Sequence, residues 1–451
     1  MEKPVPQDAP AVPKSNRSAM MIVFLVVFID LLGFGIILPL LPRIAEDYVR
    51  TILPQATWEV GLIVGLLMSS FSLMQFLFAP IWGRLSDRIG RRPVLLVGLL
   101  GSVVFYGLFG YAASLPPATQ ATLALALFFT ARIGAGVAGA TISTAQAVIA
   151  DSTAPEKRKH GMALIGAAFG IGFTFGPLIG FGCLYFSGNR MPVIGYTAAG
   201  LSALAFVLGL MLLPETRVFN ADSTTRKHLL DPSALRTALT DPAIGPVILV
   251  FFMASLGFGA FEVTLSLFLR DTFHFGENDS FLIFAFIGFV LMLTQGFLYR
   301  RLASRLSEAT FIGIGIACMA IGIGLLGWLS WDRSVMIAAF RLANAGVSEF
   351  PAAPGWHQPV LYVALIAAVV GFAFVTPSAQ ALISRRTSAD RQGEILGVNQ
   401  SASALARILG PVFGVTLYKA TDTHLLPYIA GAFLLLCMLP LLPKIGQSEP
   451  K

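Results

Sequence analysis

The chain has 451 residues, of which 56% are hydrophobic and 12% charged, with a net charge of +7 at pH 7. An ordinary soluble domain is about a quarter charged, so this composition excludes an aqueous globular fold and points to a bilayer. Metal chemistry is excluded as well: Cys183, Cys318 and Cys437 lie singly in apolar stretches and read as small buried hydrophobes. His160, His228, His274, His357 and His424 lie in or beside loops and read as solvated.

Residues 1–18 are polar and Pro-rich and are expected to be a disordered cytoplasmic N-terminus. The apolar stretch after them is too long for a signal-peptide core and lacks a small-residue cleavage site, so it reads as the first span. A helix rising about 1.5 Å per residue must cross roughly 30 Å of hydrocarbon. Twelve stretches are long enough: 19–42, 59–82, 94–115, 120–150, 161–186, 192–214, 244–270, 279–299, 309–331, 358–384, 394–418 and 425–443. The polar segment 215–243 divides them six and six and reads as a cytoplasmic linker; within it Leu230, Leu235 and Leu239 are spaced to share one face of a short surface helix. Residues 332–357 form the longest expected outward loop, an irregular lid, and 444–451 a cytoplasmic tail. With both termini inside, 22 Lys and Arg fall on the cytoplasmic side, 7 outside and 2 in the membrane, as the positive-inside rule requires. The basic balance therefore answers an anionic leaflet rather than a nucleic acid.

The expected fold is all-α and integral to the membrane, with twelve transmembrane helices in two pseudo-symmetric six-helix bundles, 19–214 and 244–443. An internal echo supports it. Gly176, Pro177 and Gly180 recur as Gly410, Pro411 and Gly414, and the Arg-Leu frame after the second span recurs after the eighth. Repeats of this kind place a site at their interface.

Four charges fall well inside the spans: Asp30, Arg132, Glu262 and Arg407. Each costs roughly 2.5–3.5 kcal/mol at mid-bilayer unless paired or water-lined. Helical rise puts Asp30 and Arg132 both near the midplane and leaves Glu262 and Arg407 about one turn apart, so the expectation is two acid–base pairs. A carboxylate beside a fixed guanidinium can load and release a proton; proton coupling is the expected role of all four.

The loop Gly83-Arg-Leu-Ser-Asp-Arg-Ile-Gly-Arg-Arg-Pro93 holds one acid among four arginines. Gly83, Leu85, Ser86, Asp87, Arg88, Gly90, Arg91 and Arg92 are the candidate cytoplasmic gate, in which Asp87 would meet the positive N-terminal end of the eleventh span and latch the bundles. In the fifth span Gly172, Gly176 and Gly180 share a face suited to close helix approach, and Pro177 is expected to bend it. Gln75, Gln146, Phe169, Phe173, Phe258, Asn399 and Gln400 are candidate cavity-lining residues.

These residues resemble the major facilitator superfamily over nearly all of 19–443, and within it the drug-proton antiporter branch. Helix 1 from Asp30 to Pro42, the 83–93 gating motif, Arg132-Ile-Gly-Ala-Gly136 in helix 4, and the helix 5 antiporter motif Gly172, Gly176, Pro177 and Gly180 carry the likeness; Phe181 replaces that motif's last glycine. Ser72 to Pro80 is similar to bacterial tetracycline exporters. Phe261 to Ser266 and Ser403 to Pro411 are similar to animal tetracycline transporter-like proteins, which are associated with organic anions. The proton-route histidine of helix 8 and aspartate of helix 9 in the bacterial exporters have no counterpart here, which leaves Asp30 and Glu262 as coupling acids.

The resemblance implies a secondary active transporter and not an enzyme: a proton-coupled antiporter exporting a drug-like or organic-ion small molecule by alternating access. A symporter, or a lipid or metabolite carrier, of the same fold is the alternative, and a non-transporting receptor or assembly partner the alternative of another class. No cofactor is expected beyond the proton gradient. The expected partners are a small-molecule substrate, protons and the lipid bilayer, with no nucleic acid, in a monomer of the plasma or bacterial inner membrane.

Overall fold

The computed structural model describes residues 17–152, 158–216, 236, 238–343, 353–387 and 392–447. Within them every regular element is a helix. The first half comprises α1 (Arg17–Ile37), α2 (Leu41–Ile52), α3 (Trp58–Ile89), α4 (Arg91–Ala112), α5 (Pro117–Gly139), α6 (Ile142–Asp151), α7 (Arg158–Ser187) and α8 (Pro192–Leu212). The second comprises α9 (Gly245–Phe273), α10 (Glu277–Leu293), α11 (Glu308–Ala343), α12 (His357–Arg386), α13 (Gln392–Lys419) and α14 (Leu426–Leu436). Among the described residues, ten helices can cross a membrane by length and composition, eleven when α1 and α2, bent by 42°, count as one span; the apolar helix Leu426–Leu441 is shorter. The fold is the all-α architecture of two pseudo-symmetric bundles, the first half packing α4 on α8 and α1 on α7, the second α11 on α12 and α9 on α13.

Several spans differ from the sequence expectation, each for a physical reason. Residues 43–52, expected as loop because of their charges, form α2, whose Ile44, Tyr48 and Val49 are buried and whose charged Arg43 and Glu46 find partners. The fourth span breaks into α5 and α6 at Ala140 and Thr141. The eighth carries a π-helical turn, Thr294–Tyr299, that continues α10 to residue 302. Much of the expected lid is helix: α11 runs on through 332–343, where Asp332 Oδ2 lies 2.9 Å from His357 Nε2 and Arg333 meets His274 at 3.2 Å. His357, expected solvated, is fully buried. The cysteines, expected buried, are not: Cys183 and Cys318 are partly exposed and Cys437 is exposed. Of the linker, residues 215, 216, 236 and 238–243 lie among the described residues, so its expected surface helix falls largely outside them.

The bundles meet through α3 and α13, α7 and α10, and α2 and α9. Glycines set how closely they approach. A Cβ on Gly61 would lie 2.5 Å from the Val415 carbonyl oxygen, one on Gly65 2.8 Å from that of Pro411, and one on Gly288 2.7 Å from that of Phe173. Ser69 of α3 also donates a 2.5 Å hydrogen bond to the Ile408 carbonyl. Among the described residues, every hydrogen bond and ion pair joining the two bundles lies in the half of the molecule containing 41–69, 266–278 and 408–424.

Overpacking of this kind costs about 1–3 kcal/mol. Gly61→Val should therefore weaken the joined half, raising the labelling rate of a cysteine placed at Ser69 by a membrane-impermeant thiol reagent; Gly107→Val, at a glycine with nothing within 4 Å of its Cβ position, should not.

Candidate functional site

One cavity of about 1170 Å³, mouth included, lies between the bundles, and Asp30, Arg132, Glu262 and Arg407 all line it. The first bundle supplies most of the wall, including Leu31, Phe34, Met68, Phe71, Ser72, Gln75, Tyr106 and Phe173. The second supplies Gly259, Glu262, Val263, Arg407 and Pro411.

The expected Asp30–Arg132 ion pair is not formed. Ser202 Oγ of α8 donates to Asp30 Oδ1 at 3.2 Å, and Ser102 of α4 flanks the same carboxylate. Arg132, 3% exposed, lies over the Phe71 ring with its guanidinium carbon 4.5 Å from the centroid, and Nη2 donates to the Met68 carbonyl at 3.4 Å. Phe34 stacks on Phe71 at 4.9 Å, so an aromatic pair covers the cation and offsets its desolvation. Tyr106 sits within electrostatic reach of both Asp30 and Arg132. Glu262 and Arg407 attract one another across the cavity without closing to the 4 Å of an ion pair. Helical rise did not give the side-chain partners of Asp30 and Arg132, because two serines and an aromatic shelf compete for the same charges.

Gln75 and Phe173 line the cavity. Gln146, Phe258, Asn399 and Gln400 are not among its lining residues: Phe258 stacks on Phe372 at 4.0 Å and Asn399 is buried elsewhere. The Phe169 side chain lies outside the described residues.

Three cations meet one buried acid at the joined end. Glu46 of α2, 1% exposed, receives Arg50 at 2.6 Å, Arg270 of α9 at 2.5 Å and Lys419 of α13 at 2.8 Å. Asp271 holds the same two cations of the second bundle, Arg270 at 3.2 Å and Lys419 at 3.1 Å, and accepts from Tyr418 Oη at 3.2 Å. Arg43 donates from Nε to the Ser266 carbonyl at 2.6 Å and from Nη1 to that of Phe275 at 2.9 Å, capping the end of α9 from the other bundle. The sequence reading missed this knot because it treated these charges as loop; the amphipathic repeat of Ile44, Tyr48 and Val49 was the available signal.

At the opposite end, the 83–93 segment is helical through Ile89, and only Gly90 turns, with φ 105°. Asp87 does not reach α13: half exposed, it pairs with Arg91 at 2.7 Å, one turn along its own bundle. Arg91 also binds Asp151 at 3.1 Å and the Ser86 hydroxyl at 2.7 Å, and Glu215 accepts from the Arg91 and Arg92 backbone N–H groups. A Cβ on Gly90 would run into the Glu215 carboxylate. Gly83, Leu85 and Arg88 ride on the last turns of α3. In α7, Gly172 and Gly176 pack on Leu31 and Gly35 of α1, within the same bundle, whereas Gly180 faces Phe281 of α10 in the other. The helix is continuous through Pro177.

A sequence model of the Major Facilitator Superfamily matches residues 23–361 and 342–451. The chain is 31% identical over 410 residues to the class E tetracycline resistance protein of Escherichia coli, covering 90% of this chain and 89% of that one. It is 29% identical over 463 residues to major facilitator superfamily domain-containing protein 10 of mouse, covering 94% and 92%. The crystal structure of the human organic anion transporter MFSD10 (TETRAN) superposes with a TM-score of 0.64 at 26% identity, covering 94% of this chain and 99% of that one. A D-xylose-proton symporter, at 15% identity and a TM-score of 0.72 over 95% and 97%, shares the fold.

Removing one member of a buried charge pair costs about 3–5 kcal/mol, because the partner is left uncompensated. Glu46→Gln should thus lower the melting temperature and open the joined end to impermeant thiol reagents. Adding Lys419→Met to it should recover part of the loss, which a double-mutant cycle of melting curves would read.

Proposed function

The chain belongs to the Major Facilitator Superfamily, and from that premise we propose that it is a proton-coupled antiporter exporting an organic ion by alternating access, held here with its cavity open toward the 83–93 end. It is a transporter and not an enzyme. The observation that carries the reading is a cavity between two bundles, walled by two acids and two arginines, with an ionic knot joining the bundles at one end.

The knot ties α2 to α9 and α13, while among the described residues the charges of the 83–93 segment are tied within their own bundle. A body built this way exposes its midpoint to one side at a time. The basic loops support, by the positive-inside rule, a cytoplasmic position for the 83–93 end and both termini, and on this reading the state receives cargo from the cytoplasm. Residues 19–214 and 244–443 are the two rocking bodies, 215–243 their linker, and the working unit is a monomer driven by the proton gradient across a plasma or bacterial inner membrane.

Each charged side chain has a task. Glu262 and Asp30 carry protons, as carboxylates facing the cavity that can be charged or neutral. Arg407 and Arg132 are fixed charges that an acid or an anionic cargo can neutralise in turn. The aromatic shelf of Phe34, Phe71 and Phe173 takes the cargo's apolar body. Relatives named for tetracycline resistance and for organic anion transport both fit such a cavity.

Inside-out vesicles with an acidified lumen test the reading: organic cations, organic anions and tetracycline are added, and collapse of the pH gradient is followed. Wild type should respond to at least one class, and Asp30→Asn or Glu262→Gln should lower the initial rate at least tenfold at equal expression. Uptake without proton movement, or no movement for any compound, would refute antiport.

A further inference from the structure

The second bundle shows the cavity one acid, one base and little else: Glu262 on α9 and Arg407 on α13. Among the described residues neither has an ion-pair or hydrogen-bond partner, yet the two attract each other across the gap. Resting on the transporter reading above, we infer that the charge of the cargo sets the sign of proton coupling at this pair: a cationic cargo exchanges for a proton, and an anionic cargo travels with one.

A cation bound in the cavity takes the Glu262 carboxylate as its counter-charge. That oxygen pair cannot then hold a proton, so cation and proton exclude one another and occupy the site in alternate legs of the cycle. An anion takes the Arg407 guanidinium instead, in the two-pronged geometry that suits a carboxylate or sulfonate. Doing so withdraws the charge that favours the ionised form of Glu262, and Glu262 accepts a proton from water on the same side. Anion and proton are then held together and released together. The other titratable or charged groups on the cavity wall are Asp30, Tyr106 and Arg132, all on the first bundle. Asp30 is held by Ser202, and Arg132 lies on Phe71, so neither is the partner that either cargo must displace.

Charge conservation at the bilayer centre favours the scheme. With Glu262 ionised and Arg407 charged the empty pair is neutral. A monovalent cation brings it to one positive charge, the same as the protonated, cation-free pair that returns. A monovalent anion with its proton leaves it neutral, the same as the empty pair that returns. In both modes the moving site carries equal charge on its two legs, so neither leg is penalised by mid-bilayer charge more than the other.

The test uses two permanently charged aromatic probes, so that any proton linkage comes from the protein: ethidium, a monocation, and naphthalene-2-sulfonate, a monoanion. Their dissociation constants are measured between pH 5.5 and 8.5 by equilibrium dialysis against the full chain in nanodiscs, with empty nanodiscs as blank. Ethidium should bind more tightly as pH rises and the sulfonate more weakly, each by up to about tenfold per pH unit where Glu262 titrates, and Glu262→Gln should flatten both slopes. Slopes of the same sign, flat slopes in wild type, or slopes that survive Glu262→Gln overturn the inference. If neither probe binds, the inference and the assignment of this cavity as the cargo site fall together. Flux of the same probes in proteoliposomes reads transport separately: movement with same-sign linkage leaves a transporter whose coupling does not depend on cargo charge.

Discussion

Glu46 has almost no contact with solvent and yet keeps its charge, because Arg50, Arg270 and Lys419 each come within 2.8 Å of it. Desolvating one carboxylate and two cations costs several kcal/mol per ion, a cost that only mutual attraction at short range offsets. That attraction requires three helices from two bundles to arrive together. Asp271 holds Arg270 and Lys419 together within the second bundle, so both cations are presented to Glu46 as one unit. Gly61 and Gly65 approach α13 closely along the same seam between the bundles.

Below the joined end the two bundles divide the labour unequally. The first gives an apolar trough with an aromatic shelf, on which Arg132 is stacked, and an acid held by serine hydroxyls. The second gives an acid and a base on small neighbours, Gly259 and Pro411. Each bundle contributes one acid and one base to the wall, but the aromatic surface comes from the first. In the proposed cycle the cargo's apolar body would rest on the first bundle while rocking changes its distance to the charges of the second.

The twelve-fold repetition of apolar stretches and the four intramembrane charges were legible in the sequence, because a bilayer penalises polar residues at every position and the exceptions stand out. Span boundaries were not. Residues 43–52 and 332–343 are helical although charged, since Arg43, Glu46, Asp332 and Arg333 are satisfied by residues distant in the chain. The same non-local chemistry hid the knot at Glu46 and the role of Glu215 under the 83–93 segment. It also redirected Asp30 and Arg132 away from each other. Helical rise fixes how deep a residue lies; which neighbour it meets depends on rotation about the axis and on competitors such as Ser202 and Phe71.

The 83–93 segment completes the balance. Arg91 is shared by Asp87, Ser86 and Asp151, and its own backbone is fixed by Glu215, so the basic turn is organised before any partner arrives. Asp87 holds only one of these contacts and is half exposed, which makes it the acid that can be taken from Arg91 at the least loss. The joined end has no such spare group, for Glu46 is saturated by three cations. A transporter that must leave this state needs a gain at the far end to match what Glu46 gives up. In the proposed cycle, with Arg91 still neutralised by Asp151, Asp87 would leave Arg91 to supply that gain across the bundle gap, whereas a turn made of arginines alone would repel its neighbours instead.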